Sequence, residues 1–168
     1  MRLELLSKKH DKKLLKFELE NRDWFESMIP PREPEFYSLL GTTEHIQLFL
    51  LEYKARTLIP MLIIDDKGNL VGRINVSNID SNKHQAHIGY RVGQAFANRG
   101  IANYAVTNMV RIVEKFGIKE LLAYASTENI ASQRVLKTNG FKAVGLVSNY
   151  AELHGVPIDC IEFKLCLS

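Results

Sequence analysis

"QAHIGYRVGQAFANRGIANYAV", residues 85–106, carries a strand pattern into a helix pattern. Gln85–Val92 reads as a strand. From Gly100 to Phe116 the chain reads as a helix: Ala102, Val106, Met109, Val113 and Phe116 recur at spacings of 4, 3, 4 and 3, which predicts a continuous buried stripe. Gly117 is its stop, and "ELLAYAS" (120–126) is the next strand. Strand, helix and strand in that order predict a parallel pair joined by a crossover helix. Gly100 has two readings. It lets the chain turn into the helix, or it keeps the backbone bare where an anion touches it. The first N–H groups of a helix are unpaired and sit at its positive end, where a phosphate can bind. Ala102 is small, and Arg99 adds charge. A dinucleotide site is disfavoured, because there is no GxGxxG and no acidic residue closing a second parallel strand.

Working outward, "LELL" (3–6) is a short first strand, and Ser7 caps a helix to about Glu20 with Leu14, Leu15, Phe17 and Leu19 as its apolar surface. Pro30, Pro31 and Pro34 make "NRDWFESMIPPREPEF" (21–36) a loop with some helix around it, although it is rich in Trp24, Phe25, Met28 and Ile29. Thr42 and Thr43 open a second long helix to about Arg56. Residues 58–65 and 70–79 are strands about a hairpin turn at "DKGN" (66–69). After strand 120–126, a short helix from Ile130 to Asn139 ends at Gly140, and two strands joined at "HGVP" (154–157) close the chain. The expected order is β-α-α-β-β-β-α-β-α-β-β, an α/β (α+β mixed) chain with a mixed sheet in one domain, residues 1–168.

Of 168 residues, 46% are apolar and 24% charged, a globular composition with enough apolar surface for a core. The net charge of +3 is a mild basic bias, far from the concentrated stripe of a nucleic-acid binder, so no direct nucleic-acid partner is expected. "SKKHDKK" (7–13) reads as a solvated helix face. Cys160 and Cys166 would lie roughly 20 Å apart on one strand, too far to bridge. Both read as buried small hydrophobes in a reducing compartment. No Cys/His cluster suggests a metal. No apolar stretch is long enough to span a membrane and no secretory h-region opens the chain, so a cytoplasmic location is expected.

The stretch "IGYRVGQAFANRGIANYAV" (88–106) resembles the central motif of the GNAT superfamily of acetyl-CoA-dependent N-acetyltransferases, and "NIASQRVLKTNGF" (129–141) resembles its second motif. "FELENRDWF" (17–25) and "SNYAELHGVPIDCIEF" (148–163) resemble the RimJ/RimL branch, the ribosomal-protein N-terminal alanine acetyltransferases. The resemblance runs from about Leu3 to Leu165. It implies a GNAT fold, with a mostly antiparallel mixed sheet of about seven strands and about four helices. It also implies acetyl-CoA as cosubstrate and no metal. The phosphate cradle would be Ala97, Asn98, Arg99, Gly100, Ile101, Ala102 and Asn103, with the N–H groups of Arg99 to Asn103 facing the pyrophosphate. Relatives often carry Gln or Arg where this chain has Ala97. Strand 85–92 would splay from its neighbour, leaving Tyr90, Arg91 and Val92 as backbone partners for pantetheine. Asn129 would bond the pantetheine arm, and Ser132 would lie near the sulfur.

Candidates for the chemistry follow from the same stretches. Many relatives have a glutamate at the position of His87, which would serve as a base through water at neutral pH or else be a plain polar strand residue. Glu20 and Glu26 are further candidate bases or solvated carboxylates. Trp24 and Phe25 wall the acceptor pocket or simply pack. Tyr150 and Asp159, in the last hairpin, are candidates for handling the acceptor. Relatives place a tyrosine later in the second-motif helix to protonate the leaving thiolate; this chain has none, which leaves Ser132 as the hydroxyl for that task or as a helix-start cap. An α-amine, with pKa near ~8 against ~10.4 for lysine, needs less help to lose its proton. The leading expectation is acetyl transfer to the α-amine of a protein, a ribosomal one in this branch, by a monomer or homodimer. The alternatives are a small-molecule amine acceptor and a non-catalytic CoA-binding module. Asp23, Glu26, Glu33 and Glu35, in the segment expected to wall the pocket, would suit a basic peptide or a polycationic small molecule.

Overall fold

The computed structural model describes residues 1–168. The strands are β1 (Arg2–Leu5), β2 (Ile59–Ile64), β3 (Leu70–Asp80), β4 (Gln85–Val92), β5 (Glu120–Ser126), β6 (Lys142–Leu153) and β7 (Val156–Cys166). They form one sheet in the order β1-β2-β3-β4-β5-β7-β6. Every neighbouring pair is antiparallel except β4 and β5, which are parallel as expected. The helices are α1 (Asp11–Glu20), α2 (Arg22–Glu26), α3 (Leu39–Lys54), α4 (Ile101–Glu114) and α5 (Ile130–Thr138). There are five helices rather than about four because the aromatic loop contains the short α2.

Both sheet faces are covered. Alternation along β3 and β4 sends Ile74, Val76, Ala86 and Ile88 into the larger core, where they meet Val106, Met109 and Val113 of α4. The other face carries a smaller core in which Leu14 and Phe17 of α1, Phe25 of α2 and Ile46 of α3 pack with Leu6. β2 contributes Ile59 and Ile63 to the first core and Leu62 and Ile64 to the second. Coverage on both faces is why "IPMLII" is an unbroken apolar run.

The structure departs from the sequence reading at several places. The α4 stripe is right at Val106, Met109 and Val113, but Ala102 faces a cavity and Phe116 is only partly buried; Ile101 and Ala105 complete the buried face. On α1 Glu18 is buried beside Leu14 and Phe17, while Leu19 stays 48% exposed. Cys160 is buried but Cys166 is exposed, at the end of the last strand. The second long helix begins at Leu39, ahead of Thr42 and Thr43, because Ser38 caps it: the Gly41 N–H donates to Ser38 Oγ at 3.0 Å. The proline-rich loop folds back onto this first turn, where Thr42 Oγ1 donates to the Phe36 carbonyl at 3.1 Å.

Gly41 permits that fold-back. A Cβ there would lie 1.9 Å from the Glu35 carbonyl oxygen and 2.9 Å from Phe36 Cα. Gly41→Ala must therefore push the loop off α3. Thermal or urea unfolding should show a loss of about 1–3 kcal/mol, the usual range for overpacking; unchanged stability would mean that the loop is not held there.

Candidate active site

β4 and β5 pair over three rungs only: Gln85 with Glu120, Ala86 with Leu121, and His87 with Leu122. Beyond His87 the strands separate. β4 stays joined to β3 through Val92, which pairs with Gly72. The Gly93 N–H donates to the Val71 carbonyl at 2.9 Å, which fixes the phase of that ladder. Arg91 therefore turns its backbone groups toward β3, and Tyr90 and Val92 turn theirs into the fork. Of the three residues expected to offer backbone partners, Arg91 is thus excluded. The Val92 carbonyl already accepts from Trp24 Nε1 at 3.2 Å.

A cavity of about 800 Å³ occupies the fork and reaches both sheet faces. At one side stands the start of α4. Gly100 is its N-cap at φ +75°, a left-handed conformation, and a Cβ there would meet nothing within 4 Å. Asn98 is also left-handed, at φ +61°. The first α4 amide bonded within the helix is Tyr104, to the Gly100 carbonyl at 3.0 Å. The N–H groups of Ile101, Ala102 and Asn103 precede it and are the helix's unpaired donors. Asn98, Gly100, Ile101, Ala102 and Asn103 line the cavity; Ala97 and Arg99 do not, and the Arg99 guanidinium sits over the Phe96 ring at 5.8 Å. A bare, positive helix end beside an open cleft fits a pyrophosphate.

Across the fork, Asn129 caps α5, its Oδ1 accepting from the Ser132 N–H at 3.1 Å. Ser132 Oγ lies 3.0 Å from the Tyr90 hydroxyl, which also donates to the Ser132 carbonyl at 3.3 Å. Burial raises the Tyr90 pKa, and the bond to Ser132 only partly opposes this. The sequence reading used Tyr90 for its backbone alone. In the structure its phenol crosses the fork to the first turn of α5.

On the other sheet face, Trp24, Phe25 and Tyr150 line the cavity, and Phe25 also packs in the smaller core. His87, Glu26 and Asp159 do not. The His87 ring packs on Tyr124 with centroids 5.7 Å apart, and Tyr124 stacks on Tyr150 at 4.9 Å. Glu26 is held by Arg22 Nε at 3.2 Å. Asp159 Oδ1 accepts from the Asn149 N–H at 2.9 Å and serves the last hairpin. Glu20 pairs with Lys16 at the surface. Asp23, Glu33 and Glu35 are likewise absent from the cavity wall, so the carboxylates of segment 21–36 do not set its charge. The one carboxylate on the wall is Glu52 of α3.

What the sequence reading missed is the polar face of β3. Arg73, Asn75 and Ser77 alternate with Ile74 and Val76 and line the cavity. That period-two alternation in "GRINVS" was the available signal. Arg73, 3% exposed, meets Glu18 at 2.9 Å, and Arg32 and Arg91 reach the same carboxylate at 3.0 and 3.4 Å. Burial raises the Glu18 carboxyl, but Arg73, Arg91 and Arg32 together more than offset this and leave its pKa below the ordinary value. The other end of Arg73 donates from Nη2 to His45 Nε2 at 2.8 Å, so His45 is neutral there.

A sheet forked between two parallel strands, with a bare helix start at the fork, opens a cleft beside an anion-ready helix end. Residues 2–142 match the acetyltransferase (GNAT) domain family, and the chain belongs to it. Among curated proteins, the uncharacterized N-acetyltransferase p20 of Bacillus licheniformis is 26% identical over 105 residues, 62% of this chain and 59% of its own, so the chain spans about three-fifths of that relative. The probable N-acetyltransferase YjcK of Bacillus subtilis is 28% identical over 145 residues, 82% of this chain and 77% of its own. The ribosomal-protein-S5-alanine acetyltransferase of Vibrio fischeri superposes with a TM-score of 0.93 at 20% identity, covering 98% of this chain and 91% of that one. RimJ of Mycobacterium smegmatis, in complex with CoA-disulfide, gives 0.89 at 20% identity, covering 98% and 80%. No helix is long and apolar enough to cross a membrane.

His45 gives the arginine cluster a pH signature. Burial, followed by repulsion from Arg73, Arg32 and Arg91, lowers its pKa from 6.5 to about 2. Between those values the unfolded chain binds a proton that the folded chain does not, so stability rises with pH across this window and falls as pH drops below 6.5. His45→Gln keeps an acceptor for Arg73 and does not titrate. Unfolding curves at pH 7 and pH 5 should show the wild type losing roughly 2 kcal/mol more than the variant. His10, whose pKa burial also lowers, leaves a residual slope in both. Equal slopes would mean that His45 is not held neutral.

Proposed function

We propose that this enzyme transfers the acetyl group of acetyl-CoA directly to the α-amine of a polypeptide, in the manner of the ribosomal-protein acetyltransferases whose fold it shares. The observation that carries the reading is the cleft itself. It runs from the bare start of α4, through the fork, to the face walled by Trp24 and Tyr150. Two substrates can meet there from opposite faces of the sheet, which supplies orientation without a covalent intermediate.

In this reading the N–H groups of Ile101, Ala102 and Asn103 hold the pyrophosphate. The free backbone edge at Tyr90 and Asn129 Nδ2 guide the pantetheine arm. The Val92 N–H, facing the fork, donates to the developing oxyanion. As the neutral amine attacks, the carbon–nitrogen bond forms, the carbon–sulfur bond breaks, and the sulfur takes a proton from Ser132, relayed from Tyr90, which regains one from the water that takes up the amine's proton. The proton lost by the amine passes to water or to Glu52. An α-amine suits a site with a single wall carboxylate, because it loses its proton far more readily than lysine. A cytoplasmic setting, where acetyl-CoA and new polypeptides meet, accords with this role.

Two variants test these assignments. Gly100→Glu puts a side chain and a negative charge at the helix start, and calorimetry should show acetyl-CoA affinity at least ten-fold weaker, about 1.4 kcal/mol. Unchanged affinity in the folded variant would remove the cradle. Ser132→Ala should lower kcat and kcat/KM together by roughly ten- to a hundred-fold at unchanged acetyl-CoA affinity. A wild-type kcat would leave Ser132 a structural role and the sulfur protonated by solvent. Thiol release with N-terminal peptides and small amines, with mass spectrometry locating the acetyl group, tests the acceptor; reaction only with internal lysines or small amines would overturn the α-amine reading.

A further inference from the structure

The acceptor side of the cavity carries more positive charge than it balances. Arg32, Arg73 and Arg91 all line it, and all three converge on one carboxylate, Glu18. His45, the remaining titratable partner of Arg73, takes a hydrogen bond and contributes no charge. Three cations against one anion leave two positive charges uncompensated. The Nε atoms of Arg32 and Arg73 and the Oδ1 of Asn75 have no hydrogen-bond partner. Arg73 is 3% exposed, and Arg32 and Arg91 have side chains 23% and 24% exposed. Three guanidiniums sharing a single counter-charge in a partly desolvated site are costly to hold, so a folded enzyme that keeps them has a use for them.

Placement sharpens this. β3 and α3 run side by side in the same direction, since Arg73 meets His45 at one end and the Ile79 N–H donates to the Thr57 carbonyl at 3.3 Å at the other. His45, Phe49 and Glu52 fall on one α3 face by their spacing. Glu52 is therefore two turns along α3 from the arginines and pairs with none of them. Arg73 is directly opposite Arg91, one rung from Tyr90, whose hydroxyl meets Ser132. The uncompensated charge thus stands beside the place where the transferred group must lie, on the face away from α4 and α5.

We propose that this surplus selects the acceptor: the enzyme prefers polypeptide α-amines followed within the first few residues by a carboxylate, which Arg73, Arg32 and Arg91 receive. This rests on the α-amine reading above. It replaces the basic or polycationic acceptor that the carboxylates of segment 21–36 suggested. A carboxylate entering the cluster would meet the partly exposed guanidiniums of Arg32 and Arg91, planar donors suited to bidentate contact.

The test is thiol release from acetyl-CoA with two N-terminal peptides that differ only in Glu or Gln at the second residue. The Glu peptide should have a kcat/KM at least ten-fold higher. That ratio should fall toward one in Arg32→Gln, which still leaves Glu18 two arginine partners. In the wild type it should shrink as NaCl is raised, a measurement that needs no variant. Equal kcat/KM for both peptides in the wild type would overturn this inference and leave the α-amine reading standing. Failure to acetylate either peptide at its α-amine would overturn that reading as well.

Discussion

Three rungs of parallel pairing hold this enzyme's sheet together at its centre. Gln85, Ala86 and His87 meet Glu120, Leu121 and Leu122, and past them β4 and β5 part. The separation depends on which partners each strand keeps. β4 remains paired to β3 out to Val92, and β5 remains paired to β7 along its whole length, with Glu120 opposite Cys166 and Ser126 opposite Cys160. Each half of the sheet is a twisted antiparallel unit, and the halves share only the rungs before the fork. α4 makes this possible, because its crossover brings β5 back parallel to β4 while Val106, Met109 and Val113 seal the larger core beneath.

Everything placed in the cleft follows from that opening. Amides that would otherwise close a ladder at Tyr90 and Val92 remain available, and the tyrosine side chain can cross to the first turn of α5. The short α2 is tied to the fork by the bond from Trp24 to the Val92 carbonyl, so the aromatic loop becomes a wall of the site. Gly93 has its own constraint: a Cβ there would lie 3.3 Å from both Phe17 and Asn21 Oδ1, and that same Oδ1 accepts from the Gln94 N–H at 2.9 Å. The end of α1 and the end of β4 are thus locked to each other.

The polar cluster on the second face is the other organising element. Glu18 draws in arginines from the loop, from β3 and from β4, and so ties three segments far apart in sequence. An ion cluster of this kind adds little net stability, because desolvation consumes most of the Coulomb gain. Its effect is to fix geometry and to set the sign of the field on that side of the cleft. Phe25 and Phe36 carry the faces of Arg91 and Arg32, which orients the guanidiniums without neutralising them.

Much was legible from local pattern. The strand at 85–92, the helix that follows Gly100, its stop at Gly117 and the parallel return at 120–126 were readable because each rests on periodicity or on backbone conformations that glycine favours. The bare start of α4 was readable for the same reason, since a helix start needs no distant partner. Long-range pairing was not readable. Nothing local in "FELE" says that Glu18 is buried and Leu19 exposed; that was decided by three arginines arriving from residues 32, 73 and 91. Nothing near Ser132 announces Tyr90, and nothing in segment 21–36 says that its carboxylates turn away from the cleft while Arg32 turns toward it. The sequence by itself determined the strands and long helices, their order and the anion-ready helix start, though not the short α2, because those depend on steric preferences and spacing within a few residues. Only the tertiary structure decided which side chains share the cleft and what charge it carries, because burial and charge pairing are properties of segments brought together across the sheet.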